Sequence, residues 1–447
     1  MKNRDNSFYK GLISIALPVT LQALLQSSFS VVDQIMIGQL GSENIAGIGL
    51  GGKFASIYSV VLAAIAAAAG IMIAQYIGQD NQKDLRKSFH VNMIYSILLA
   101  IGFMAVCLPF SEKVMEIYTK DSETCILASR YLKIYCLSFL PMAMSSMASV
   151  MLRCVNAAVY PLIASILSVV LNTGLNYVLI FGKFGLPVMG MEGAATASVL
   201  SQVIASLLTG LFLLRELRKQ DIHLYFDFRL GKEKQKLYIS ILAPIMVCEF
   251  LWSLGENVYG AIYGNLGTDP CAAMTMTGSI QALMIGALSG LSQAAGIMIG
   301  KSLGKEEYEK AYRDSKKLMG FGLAGSLVLS ILLIILGKYY VGIYDVSPEV
   351  QKTAYQILVV FAIVSPIKVQ NMILGGGIIR SGGKTNYVMW IDIVGTWLFG
   401  VPLGLLSAFA WNLQIPYVYF ILSLEELVRL GISLVIFRTK HWMKSLQ

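Results

Sequence analysis

The sequence predicts an all-α integral membrane protein: twelve transmembrane helices in two six-helix bundles related by a parallel pseudo-two-fold repeat. Three observations carry that reading: the composition, the spacing of the apolar stretches, and an internal repeat. Hydrophobic residues make up 56% of the 447 and charged residues only 14%, with a mean hydropathy of +0.66. A soluble domain carries roughly 25% charged residues, so no soluble architecture fits.

An apolar stretch of about 20 residues crosses the hydrocarbon core. Twelve such stretches follow one another at 10–38, 46–76, 88–112, 125–154, 160–183, 190–217, 237–266, 272–301, 314–344, 350–380, 384–410 and 414–438. Several exceed the minimum, which points to tilt or to short extensions into water. With the N-terminus inside, and with span ends good to a few residues, 25 of the 35 Lys and Arg residues fall in cytoplasmic segments or at the adjoining inner ends of the spans. External loops hold five: Lys113, Lys120, Lys183, Lys338 and Lys352. This asymmetry predicts a multi-pass protein of the plasma (inner) membrane with both termini cytoplasmic. It also accounts for the net charge of +9 without nucleic acid, because basic loops face anionic lipid. Met1–Lys10 is short, polar and basic, so no signal peptide is expected and helix 1 is the targeting element.

The two halves repeat. A shift of 226 residues superposes Pro18 on Pro244, Gly38 on Gly264, Gly78 on Gly304, and AAGIMI at 68–73 on AAGIMI at 294–299. One further residue of shift places Arg153 on Arg380 and Tyr160 on Tyr387. Two six-helix halves that both start inside are parallel repeats. The expected organisation is an N-terminal lobe 1–217, a cytoplasmic linker 218–236 and a C-terminal lobe 237–447. Parallel halves of this kind suit a transporter that rocks or opens its bundles.

Some chemistry is excluded. The string GGGIIRSGGKT at 375–385 superficially resembles a phosphate-binding loop, but Ile378 stands where the first glycine is required. No segment is suited to house a nucleotide, so transport must run on an ion gradient, with Na+ or H+ as coupling ion and no other cofactor. The six cysteines show no pairing or metal spacing, and the three histidines fall in cytoplasmic segments. No enzyme is read here.

Polar residues at bilayer depth are costly and ask for a partner or a task. Asp33 lies five residues from the external end of helix 1, Asn176 seven from that of helix 5, and Ser198 eight into helix 6. At about 1.5 Å per residue, all three sit roughly 7–12 Å below the outer surface. Asn172 and Asn176 share a helix face. One carboxylate, two carboxamides and a hydroxyl at one depth supply oxygen ligands for a hard cation such as Na+, and the same carboxylate serves equally for a proton. The competing reading is an interhelical hydrogen-bond cluster.

In the second half, Glu249 and Glu256 stand two turns apart on one face of helix 7. Lys368 on helix 10 matches the depth of Glu249, which suits an ion pair or a cavity-lining pair between them, with plain structural neutralisation as the competing reading. Asp392, Glu425, Glu426 and Arg429 on helices 11 and 12 read as structural, with Glu425 and Arg429 in the favourable i,i+4 order. Lys53 is expected to snorkel. Most of the methionines and aromatics are expected to pack or face lipid.

These residues resemble the multidrug and toxic compound extrusion (MATE) family along essentially the whole chain. ALPVTLQALLQSSFSVVDQIMIGQLG in helix 1, NTGLNYVLIFGKFG followed by GMEGAATAS in helices 5 and 6, APIMVCEFLWSLG in helix 7, RSGGKT and the WIDIVGTWLFGVPLG of helix 11 carry the resemblance. It implies two bundles around a V-shaped cavity and antiport of cationic or amphipathic organic compounds against entering Na+ or H+. By position, Asp33, Asn172, Asn176 and Ser198 match the family's first-lobe cation site, with the Ala194 carbonyl as a further ligand. Members often carry aspartate at the place of Asn176. Glu249 matches a glutamate implicated in second-lobe coupling, but its usual acidic partner falls within Lys368–Asn371, where no acid stands. Glu249, Glu256 and Lys368 are therefore second-lobe candidates for substrate binding or coupling. Small organic cations or amphipaths and the bilayer are the expected partners, and the chain is expected to act as a monomer. A lipid or polysaccharide flippase of the same superfamily is the nearest rival; a membrane enzyme and a channel are more distant.

Overall fold

A computed structural model describes residues 2–222, 231–344 and 346–446, leaving aside the side chains of 2–7, 29–31, 34 and 42. The chain is all-α. Its membrane helices are α1 Lys2–Ile37, α2 Ser42–Gly78, α3 Gln82–Glu116, α4 Ser122–Cys154, α5 Val159–Phe181 and α6 Gly190–Lys219. They continue as α7 Lys232–Asn265, α8 Thr268–Gly304, α9 Tyr308–Val341, α10 Pro348–Ile379 and α11 Thr385–Ala410. The twelfth, α12, comes in two segments, Ile415–Ser423 and Glu425–Thr439. Among the described residues, eleven helices are long and apolar enough to cross a membrane as single pieces. α12 misses that mark because Leu424 divides it, so the expected twelve are all present. The 37 residues of α2 extend about 55 Å at the standard rise, well beyond the hydrocarbon core.

Local chemistry sets the ends. Asn81 accepts from the Asp84 backbone N–H (3.1 Å) to start α3, and Asp121 accepts from that of Thr124 (2.9 Å) to start α4. Ser347 caps α10, with Pro348 at its first position, where the missing N–H costs nothing. α4 tightens into a short 3₁₀ turn at Cys136–Ser138. Wide π-type turns occupy Met372–Ile379 in α10 and both Ile393–Gly400 and Leu406–Ala410 in α11.

The chain divides into two compact units, Leu24–Ile73 with Asn81–Lys232, and Met1–Ala23 with Ala74–Asp80 and Glu233–Gln447. The ends of α1 and α2 thus pack with the second-half helices, whereas sequence pattern divides the chain at 218–236. Of that linker, 223–230 lie outside the described residues. In the first unit, Tyr131, Met191 and Ala195 form a core against Leu40, Ile48 and Leu127. Tyr58 stacks on Phe139 (4.2 Å) and donates to its carbonyl at 2.6 Å. The second unit buries a larger core that includes Ile262, Ala354, Phe361, Val418 and Leu422. The repeat-related glycines have a packing reason there. Gly78 lies against the Lys301 backbone and Gly304 against that of Gln75, with room for a Cβ at neither.

Candidate cation site and the second-half charge network

Asp33 of α1 meets α5 and α6 through a chain of side-chain hydrogen bonds. Asn176 Nδ2 donates to Asp33 Oδ1 (2.5 Å) and also to Asn172 Oδ1 (3.3 Å). Asn172 Nδ2 donates in turn to Ser198 Oγ (3.3 Å). The four residues that sequence depth placed together are therefore joined. Asn172 and Asn176 meet because four residues make one helical turn. Ala194, buried on α6, lies one turn before Ser198.

Asn176 is 1% exposed, and its Oδ1 is a buried acceptor with no hydrogen-bond partner. An unpaired buried carbonyl costs free energy, so its place beside a carboxylate asks for a positive ligand. The set is all oxygen (carboxylate, two carboxamide carbonyls, hydroxyl), which suits a hard cation better than a soft one. Sequence reasoning missed Tyr131 and Tyr135 of α4, which stack on each other at 5.4 Å within electrostatic reach of Asp33. Their spacing of four on one helix was the available signal.

The second half gathers more charge and pairs it differently from expectation. Glu249 does not pair with Lys368. Its partner is Arg380, whose Nη1 lies 3.3 Å from Glu249 Oε1 and whose Nη2 donates to Cys248 Sγ at 3.1 Å. Lys368 instead lies 3.8 Å from Glu426, and Asn371 donates to the Glu426 carboxylate at 2.7 Å. Arg429 pairs with Asp392 and lies 3.7 Å from Glu426, so the expected i,i+4 pair with Glu425 gives way to an i,i+3 pair. Cys248 donates to Asp392. Glu425 accepts from the Tyr259 hydroxyl at 2.6 Å. Glu256 is exposed on α7. Gly395 and Gly400, in the wide-turn stretch of α11, leave the space that the Arg429 stem and the Tyr259–Glu425 pair occupy.

The model of the MatE family matches residues 18–178 and again residues 244–406. The chain belongs to the MatE family. This places it among transporters rather than enzymes, and the two matched stretches coincide with the sequence repeat. Curated relatives of this MatE chain include the probable multidrug resistance protein NorM of Thermotoga maritima, 25% identical over 97% of this chain and 93% of that one. Another is the uncharacterised transporter YisQ of Bacillus subtilis, 21% identical over 99% of this chain and 96% of that one. Among solved structures, an outward-facing multidrug resistance MATE transporter of the MOP superfamily is 18% identical, with a TM-score of 0.88 over 96% of this chain and 95% of that one. A mutant of the Vibrio cholerae MATE transporter VcmN is 16% identical, with a TM-score of 0.87 over 98% of this chain and 99% of that one. At these identities the structures establish the fold.

Proposed function

We propose that this MATE chain is a secondary active exporter of cationic or amphipathic organic compounds, driven by an inward Na+ or H+ gradient. Asp33, Asn172, Asn176 and Ser198, with the Ala194 carbonyl, form its first-half coupling site. The observation that carries this is the joined cluster itself: a single carboxylate at membrane depth beside a buried amide oxygen without a donor. The orphaned acceptor beside the carboxylate supports an ion site over an interhelical bond network alone. The names of the NorM relatives support efflux of several compounds. On this reading the lobes are 1–217 and 237–447, they alternate access to a monomeric transporter's cavity, and both termini are cytoplasmic. Glu249, Glu256 and Lys368 are the second-half candidates for substrate contact or coupling, and Glu256 is the most open of the three. The test is efflux of a fluorescent organic cation from proteoliposomes under Na+ and H+ gradients imposed separately. Efflux driven by one gradient and lost in Asp33→Asn is expected. Equal efflux without either gradient would overturn the reading.

A further inference from the structure

The second half pairs three bases with three buried or half-buried acids: Arg380 with Glu249, Arg429 with Asp392, and Lys368 with Glu426. Glu425 is left over. It is 6% exposed, and no Lys or Arg lies at ion-pair distance from it among the described residues. Its side-chain hydrogen bond comes from the neutral Tyr259 hydroxyl at 2.6 Å. Glu425 stands eleven residues into α12 from Gln414, about 16 Å along the helix and near mid-membrane. An ionised carboxylate at such a place needs a counter-charge, and one without a partner neutralises itself.

The repeat gives this position a second, independent meaning. The shift of 226 that superposes the first helices of the two halves carries Asp33 onto Tyr259. The tyrosine that closes the second-half bond is thus the repeat counterpart of the first-half carboxylate. The acid has changed helix, from the first helix of its half to the last. Gly400 of α11 stands against both Tyr259 Oη and Glu425, and any side chain there would separate them.

We propose that Glu425, held by Tyr259, is a proton-binding site in the second half of the transporter. The charged and titratable groups around it are Glu256, Tyr259 and Tyr263 on α7, Lys368 on α10, Asp392 on α11, and Glu426 and Arg429 on α12. With Glu425 protonated, the three ion pairs leave the buried cluster neutral. Its deprotonation leaves one negative charge in excess.

Infrared difference spectroscopy of the full chain in lipid, between mildly acidic and alkaline buffers, reads this directly. It does not depend on transport, so a failure of the coupling role of Asp33 would not mask it. Wild type is expected to show a protonated-carboxyl carbonyl band that Glu425→Gln removes and Asp33→Asn leaves in place. Tyr259→Phe should shift that band to higher frequency, because the hydrogen bond to the carbonyl is lost. Glu425→Asp, which keeps a carboxyl, should move it without abolishing it, and it covers the case in which the glutamine variant does not fold. A carboxyl-band spectrum that is the same in folded Glu425→Gln as in wild type overturns the proposal. So does a band that disappears on adding Na+ at constant pH, which would mark a metal-cation site instead.

Discussion

Asp33 carries the one carboxylate in the first-half cluster, and its amide analogue keeps the shape while removing the charge. Asp33→Asn is therefore expected to insert and elute normally but to lose gradient-driven efflux, measured in proteoliposomes against wild type. The two asparagines should behave differently. Asn172→Ala removes a neutral oxygen and the link to Ser198, which should raise the Na+ concentration needed for half-maximal transport. Asn176→Asp places a second carboxylate against the first. Like charges resist joint ionisation, so the pair keeps a proton to higher pH. The pH profile of transport should move upward, with proton dependence gaining on Na+ dependence. If both asparagine variants keep the wild-type dependence on Na+ and pH, they only tie the helices together. This cluster was legible in the sequence because depth and the i,i+4 rule sufficed: all its residues sit on regular helix. The second half was not. Equal depth suggested a Glu249–Lys368 pair, but depth says nothing about which way a side chain faces. Arg380, the actual partner, stands at the inner end of its span, where the sequence marks it only as the repeat counterpart of Arg153.

At the scale of elements, the wide turns explain much of that misreading. Met372–Ile379 and Ile393–Gly400 bond one residue further along than an α-helix, so each turn holds more residues and changes the facing side. Counting from a helix end fails across them, and no composition cue marks where they begin. Glycine spacing was more informative. Gly78 and Gly304 were visible as a repeated pair, and both prove to be sites of close backbone approach. Gly304→Ala should therefore lower thermal stability in detergent, by about 1–3 kcal/mol as overpacking does. Gly102→Ala, on an open face of α3, should not lower it and should raise it by up to about 1 kcal/mol through helix propensity. Equal melting temperatures for the two variants would remove the packing explanation. Gln75 makes a second element-scale case. Its buried amide donates to the Ser381 carbonyl (2.6 Å) and the Lys444 carbonyl (3.1 Å), and it accepts from the Leu446 N–H (2.7 Å). Trp442 packs fully buried upstream. Gln75→Ala removes the partner of two buried backbone groups, the Ser381 carbonyl and the Leu446 N–H, so the tail after Lys440 should be cut faster by carboxypeptidase than in wild type. Unchanged digestion would mean that Trp442 and Leu446 hold the tail without it.

For the whole molecule, the count of crossings decides the sidedness of every loop, and α12 is where the count is least obvious. Its two segments, of 9 and 15 residues, are each too short to cross alone. Joined across Leu424 they total 25 residues, ample for about 30 Å of hydrocarbon. Ser423 and Glu425 are both buried, so the break faces protein and not lipid, as irregular backbone at depth requires. If α12 crosses, residues 440–446 return to the side of the N-terminus. If it does not, they stay opposite. The 25-to-5 charge asymmetry makes the same demand independently, and so does the repeat, because six crossings per half return 218–236 to the starting side. Single cysteines placed at 218–236 and at the C-terminal tail, in a background with the six native cysteines replaced, should react with a membrane-impermeant maleimide only after the membrane is opened from inside. External labelling at the tail alone would mean eleven crossings and an α12 that fails to span. External labelling at 218–236 would overturn the charge argument and the parallel relation of the halves together.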